Sequence, residues 1–275
     1  MKLSSKQIQQ QYTGFLQTPC LWKKDAVVGL QQFKIEQKAI AFDLEIDTKL
    51  RLGKYIERFV SFQLQQEKSI QILAENVQIQ REKITLGELD CLLLKDDKPI
   101  HLEIIYKFYV YDPSVGSSEI AHCIGPNRKD SLLQKVTKLK DKQLPLLYSN
   151  ECESYLKKLG LESLEIEQQV YFKAQLFVPF TQQNIQLKTL NQDCIVGFYI
   201  NQKELATFND CKFYIPTKKN WLLKPHTQAD WQNYSSFEKE VSKILNKESS
   251  PLCWMKHPNG EISKFFLIWW LAQPV

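Results

Sequence analysis

The stretch Gly87-Glu88-Leu89-Asp90-Cys91-Leu92-Leu93-Leu94-Lys95-Asp96-Asp97-Lys98-Pro99-Ile100-His101-Leu102-Glu103-Ile104-Ile105-Tyr106-Lys107 decides how this chain is read. Two apolar runs, 88–95 and 100–110, flank Asp96-Asp97-Lys98-Pro99, which has turn chemistry, so the spacing predicts paired strands. Side chains alternate along a strand. Glu88, Asp90, Leu92 and Leu94 therefore share one face of the first, and Glu103, Ile105, Lys107 and Tyr109 one face of the second. Both runs are apolar on both sides, the pattern of strands covered above and below. A charge planted there is costly unless it is paired or bound to metal. Asp90, Glu103 and Lys107 thus need a shared explanation. One is a divalent metal site with a lysine beside it, and the other is a salt-bridged buried trio. Spacing alone leaves both open.

Outward from this pair, residues 48–66 carry Leu52, Ile56, Phe59, Val60 and Leu64 at helical spacing, and 68–80 reads as a further strand. Glu57 falls at the border of that helix's apolar face, where it could lean into a site or pair with exposed Lys54. A helix is predicted over 127–143, with Asn127 as N-cap, Asp130 as the acid at N3 and Leu132, Leu133, Val136 and Leu139 as its apolar face. Arg128, Lys135, Lys138 and Lys142 form a stripe beside that face. With Lys129 and Lys140 they give residues 125–145 six basic groups against two aspartates, suited to phosphate-backbone contacts or to a solvated face. Gln143, near the helix end, is placed to touch a phosphate or to cap the helix.

A short helix over 151–160 closes at Gly160. Strands are expected at 170–179, 194–200 and 212–216, a helix near 234–246, a hairpin turn at His257-Pro258-Asn259-Gly260 and a final strand over 265–271. This order implies an α/β or α+β layered fold, divided as a 1–165 core and a β-rich 166–275 region. Trp221, Trp254, Trp269 and Trp270 are expected in the core, and His101 is expected as a structural edge residue. Of the 275 residues 43% are apolar and 24% charged, which argues against disorder, and the net charge of +5 permits a nucleic-acid partner. The chain has no 18-residue apolar run and its first residues lack a signal peptide's apolar core, so neither a membrane span nor export is expected. Seven scattered cysteines without a Cys-x-x-Cys pair suit free thiols in the cytoplasm.

Gly87-Glu88-Leu89-Asp90, a short turn, then His101-Leu102-Glu103 and a lysine resemble the signature of the PD-(D/E)XK nuclease superfamily. The first four are similar to the Gly-Glu-Ile-Asp of Holliday-junction-resolvase-like endonucleases. Through Thr85-Leu86-Gly87-Glu88-Leu89-Asp90, Leu102-Glu103, Lys107-Phe108-Tyr109 and Gly125-Pro126-Asn127, most of the chain also resembles a bacterial domain-of-unknown-function family assigned to that superfamily. The resemblance implies a restriction-endonuclease-like core, a mixed sheet flanked by helices, that hydrolyses phosphodiester bonds in nucleic acid, DNA before RNA, with Mg²⁺ or Mn²⁺. It further implies Asp90, Glu103 and Glu57 as metal ligands, Lys107 as the group that positions the nucleophile, and a homodimer for cutting both strands; Glu88 and Gln143 are candidate auxiliaries by their positions. The sequence departs from the pattern at one point. The superfamily's lysine falls two residues after the glutamate, where this chain has Ile105; Lys107 lies on the same face one repeat, about 6.6–6.8 Å, further on. A catalytically silent descendant that binds nucleic acid or a protein partner is the alternative expectation.

Overall fold

The computed structural model describes residues 5–24, 26–36, 38 and 40–270. Along the chain run α1 (Ser5–Gln17), β1 (Ala26–Val27), β2 (Leu30–Gln31), α2 (Leu52–Gln65), β3 (Ile70–Arg81), β4 (Ile84–Lys95) and β5 (Lys98–Tyr111). They are followed by α3 (Glu119–His122), β6 (Cys123–Ile124), α4 (Leu132–Lys138), α5 (Asn150–Lys158), β7 (Glu167–Pro179), β8 (Ile195–Asn201) and β9 (Lys212–Tyr214). The series closes with β10 (Gln232–Asn233), α6 (Tyr234–Leu245), β11 (Leu252–Lys256) and β12 (Ile262–Ile268). The chain is an α/β protein whose strands pair both parallel and antiparallel, with helices packed on them. Leu271, expected in the final strand, lies outside the described residues. Two compact units emerge, one from described residues within 1–9, 20–106 and 134–173, the other from those within 10–19, 107–133 and 174–275.

In the first unit the β3–β4 and β4–β5 hairpins close on two-residue turns. Glu82 takes a φ of 55°, and Asp96 and Asp97 take 50° and 62°. Positive φ at both central residues, as at Asp96-Asp97, is the geometry whose twist matches a tight hairpin, and aspartate tolerates it better than most residues. The β4–β5 register runs from Lys95 opposite Lys98 to Cys91 opposite Leu102. Leu89 and Leu92 of β4 pack with Val77, Ile79, Leu147, Cys152, Leu156 and Ile166. Helix α2 buries Ile56, Phe59, Val60 and Leu64, as its periodicity predicts, and Tyr55 besides, while Leu52 is half-buried. Ser149 caps α5 by accepting from the Cys152 N–H, and Gly160 ends it at a φ of 70°, as its place in the sequence implies.

In the second unit β12 runs parallel to β8 and β8 parallel to β7, whereas β11 is antiparallel to both β12 and β9. Phe198, Phe213, Phe237, Val241, Met255 and Phe265 share one core under α6, with the Phe213 and Phe237 rings stacked 4.3 Å apart. The His257–Gly260 turn joins β11 to β12 as expected. Gly197 is obligatory here, since a Cβ on it would lie 1.9 Å from the Lys264 carbonyl oxygen. Trp221, Trp254 and Trp270 are buried, in keeping with a core role.

The predicted helix over 127–143 is corrected. Gly125-Pro126-Asn127-Arg128 forms a turn in which Arg128 N–H donates to the Gly125 carbonyl and Arg128 takes a φ of 57°. Asn127 is no N-cap: its Oδ1 accepts from the Ser250 N–H, and the Asp130 carbonyl accepts from the Gly125 N–H. Helix α4 begins only at Leu132, opens into a π-helical turn over Leu139–Gln143 and tightens into a 3₁₀ turn over Leu144–Tyr148.

Candidate functional site

Asp90 precedes Cys91 on β4 and Glu103 follows Leu102 on β5, so both lie one residue beyond the Cys91–Leu102 pair at the end of the ladder. There the Ile104 N–H donates to Asp90 Oδ2 at 2.9 Å. Glu103 is fully buried. Its Oε2 accepts from Gln143 Nε2 at 2.7 Å, and Gln143 Oε1 in turn accepts from Lys135 Nζ at 2.8 Å. Its Oε1 has no hydrogen-bond partner among the described residues; His101 Nε2 stands 3.3 Å away without hydrogen-bonding geometry. Burial, and then the negative charge of Glu103, push the Asp90 carboxyl up to about 7; the Ile104 N–H and Lys135 pull the other way.

His101 is not an edge residue. It is completely buried, and its ring is oriented from behind. Gln168 Nε2 donates to the Leu144 carbonyl at 2.7 Å, which fixes the amide's orientation, and lies 3.1 Å from His101 Nδ1. Nδ1 then accepts, and the ring proton sits on Nε2, facing Glu103. The signal was present in the sequence, because residues two apart on a strand share a face and His101-Leu102-Glu103 has that spacing.

Glu57 and Glu88 form a second carboxylate pair. Lys54 Nζ donates to Glu57 Oε2 at 2.9 Å, to Asn76 Oδ1 at 2.6 Å, and to Glu88 Oε1. Burial raises the Glu57 pKa and the Lys54 bond opposes it. Burial works against the Lys54 charge too, but the bonds to Glu88 and Glu57 outweigh it and its pKa rises. The Lys54–Glu57 pair is therefore present, with the glutamate half-buried rather than exposed. The Glu57 charge also raises Asp90, so the two pairs share one electrostatic neighbourhood.

The other expected residues divide. Lys107 Nζ pairs with Asp130 Oδ2 at 2.7 Å within the second unit. Arg128 is tied to Asp112 at 3.1 Å, with its guanidinium 4.1 Å from the Trp270 ring centroid. Lys129 is exposed on the turn, and Lys138 and Lys142 are exposed on α4 and the π-helical turn. Lys135 is the member of the basic set that reaches the carboxylates. Next to them Gly87 faces the 3₁₀ turn, where a Cβ would lie 2.7 Å from Leu146 Cδ2.

Among the described residues no three His, Cys, Asp or Glu side chains group closely enough to hold a metal ion by themselves. Mg²⁺ does not require three, since it keeps several waters and is commonly held by one or two carboxylates plus substrate phosphates. A buried Glu103 oxygen without a hydrogen bond, beside an Asp90 whose ionisation burial and a neighbouring anion oppose, is a donor set that a hard divalent cation fits.

The chain belongs to the family described as Domain of unknown function (DUF1853), whose model matches residues 3–268. No curated protein and no solved structure matches it. No helix among the described residues is long and apolar enough to cross a membrane.

Proposed function

We propose that this protein is a metal-dependent nuclease of the PD-(D/E)XK type, hydrolysing phosphodiester bonds in nucleic acid, DNA before RNA, on a restriction-endonuclease-like core. The observation that carries the reading is half-buried Asp90 beside fully buried Glu103, with Oε1 of Glu103 left without a hydrogen bond among the described residues. Asp90 and Glu103 would hold Mg²⁺ or Mn²⁺, which when bound supplies Lewis acidity at a phosphoryl oxygen and acidifies a coordinated water. Gln143 fixes the rotamer of Glu103 through Oε2. Lys135, rather than Lys107, sets an ammonium beside the carboxylates, where it neutralises charge developing on a phosphate. Exposed Lys138 and Lys142 are suited to the flanking phosphates. Seven free cysteines accord with a reducing, cytoplasmic setting, and two copies would cut both strands of a duplex.

The test is cleavage of plasmid and of single-stranded DNA and RNA in Mg²⁺ or Mn²⁺. Wild type should nick or cut, and Asp90→Ala and Glu103→Ala should each lose at least a hundredfold in rate while keeping the wild-type circular dichroism. Undiminished cutting by either variant sinks the assignment. One observation favours a second reading, a silent nucleic-acid binder: Lys107, the lysine nearest the motif position, is occupied by Asp130. Salt-dependent binding without cleavage in either metal identifies that case.

A further inference from the structure

Four carboxylates are coupled in the first unit. Asp90 feels Glu103 and Glu57, and Glu57 feels Glu88. Two ammonium groups stand among them. Lys135 bears on Asp90 and bonds Gln143, and Lys54 bonds Glu57, Glu88 and Asn76. Arg58 adds a third positive charge that bears on Glu57. The two pairs differ in how they are satisfied. Glu103 keeps a fully buried oxygen without a hydrogen bond, whereas Glu57 and Glu88 already share a cation with three donor hydrogens, all three accepted by oxygen.

We propose that the site takes a single divalent cation, at Asp90 and Glu103, and that the Lys54 ammonium is a resident substitute for a second one, clamped by Glu57 and Glu88. This inference rests on the metal reading above. Lys54 is then a positioning residue. It holds Glu57 away from the metal and balances its charge, so the nuclease works with one ion where a second carboxylate pair would otherwise recruit another. Removing the ammonium while keeping its stem leaves Glu57, Glu88 and the Asn76 amide oxygen as hard oxygen donors around a vacated positive charge.

The experiment is titration of the metal-free full chain with Mn²⁺ at pH 8, counting ions per chain by calorimetry and by loss of the free-ion paramagnetic resonance signal. Wild type is expected to bind one ion, Lys54→Met two, Lys54→Arg one and the Lys54→Met/Glu57→Gln double variant one. Two ions on wild type, or one on a folded Lys54→Met, overturns the proposal while leaving the metal reading intact. No ion on wild type removes the metal reading itself, and this inference with it. Glu57→Gln keeps the proposal open to refutation if Lys54→Met does not fold. It should change the affinity for the single ion by no more than about threefold, whereas a loss of tenfold or more makes Glu57 a direct ligand and overturns the proposal.

Discussion

Burying Asp90 beside Glu103 makes the charge on one carboxyl depend on pH within the physiological range. Its pKa is raised from 3.8 to about 7 on folding, so the native state binds a proton that the unfolded chain has already lost. The resulting stabilisation is complete below about pH 4, fades as pH rises and is gone once pH passes about 7. Asp90→Asn, which keeps an acceptor for the Ile104 N–H, should therefore leave the metal-free protein more stable than wild type at pH 8, by on the order of 2 kcal/mol, with the gain shrinking towards pH 4. Urea unfolding at both pH values checks this. Cation binding competes with that proton, so Mn²⁺ affinity should rise through pH 7 and level off above it, a profile that calorimetry can trace. Asp90 and Glu103 were legible in the sequence because charges inside apolar strands stand out. Lys135 and Gln143 were seen as a basic stripe and a helix end, since no periodicity says which surface side chain will fold inwards.

At the scale of elements, the π-helical turn Leu139–Gln143 decides what reaches the site. A π-turn widens the helix by one residue per hydrogen-bonded ring and is found disproportionately at functional sites. Here it precedes the 3₁₀ turn and delivers Gln143 to Glu103. Gln143→Ala should cost roughly tenfold in cation affinity or cleavage rate, the scale of losing a partner that orients a ligand, with little change in thermal stability. Retained affinity together with a retained rate would make the contact incidental. Strands and helices with strong patterns, such as β3 to β5, α2, α5, α6 and the His257–Gly260 hairpin, follow from alternation, helical spacing and turn residues. The 127–143 segment does not, because Asn127, Arg128 and Asp130 spend their local hydrogen-bonding capacity on Ser250, Gly125, Asp112 and Lys107. Gly125 closes a local turn that competes with the helix, and Ser250, Asp112 and Lys107 are tertiary partners that capping rules do not see.

For the molecule as a whole, a net charge of +5 is modest, and its concentration in residues 125–145 matters more. The structure thins that concentration, because Arg128 is neutralised by Asp112 and Lys135 turns to Gln143, while Lys138, Lys140 and Lys142 stay exposed. Nucleic-acid affinity should accordingly fall with salt, and Lys138→Ala and Lys142→Ala should each flatten the log–log slope by about one. Fluorescence anisotropy across a salt series measures it. The parallel β12–β8 pair of the second unit depends on Gly197. Gly197→Ala should lower the melting temperature by roughly 5–10 °C, since the obstructing atom is backbone and cannot rotate away.

Gly87, the first letter of the motif that opens this reading, has an ordinary strand conformation, so its role is spatial. The room it leaves is filled by a methyl of Leu146, a residue of the turn that follows Gln143. Positions 87 and 146 should therefore exchange volume: in family members with alanine at the first, a smaller side chain is expected at the second, and Gly87→Ala should be rescued here by Leu146→Val. Such a correlated substitution would trace the seating of the Gln143 segment on the sheet through evolutionary divergence.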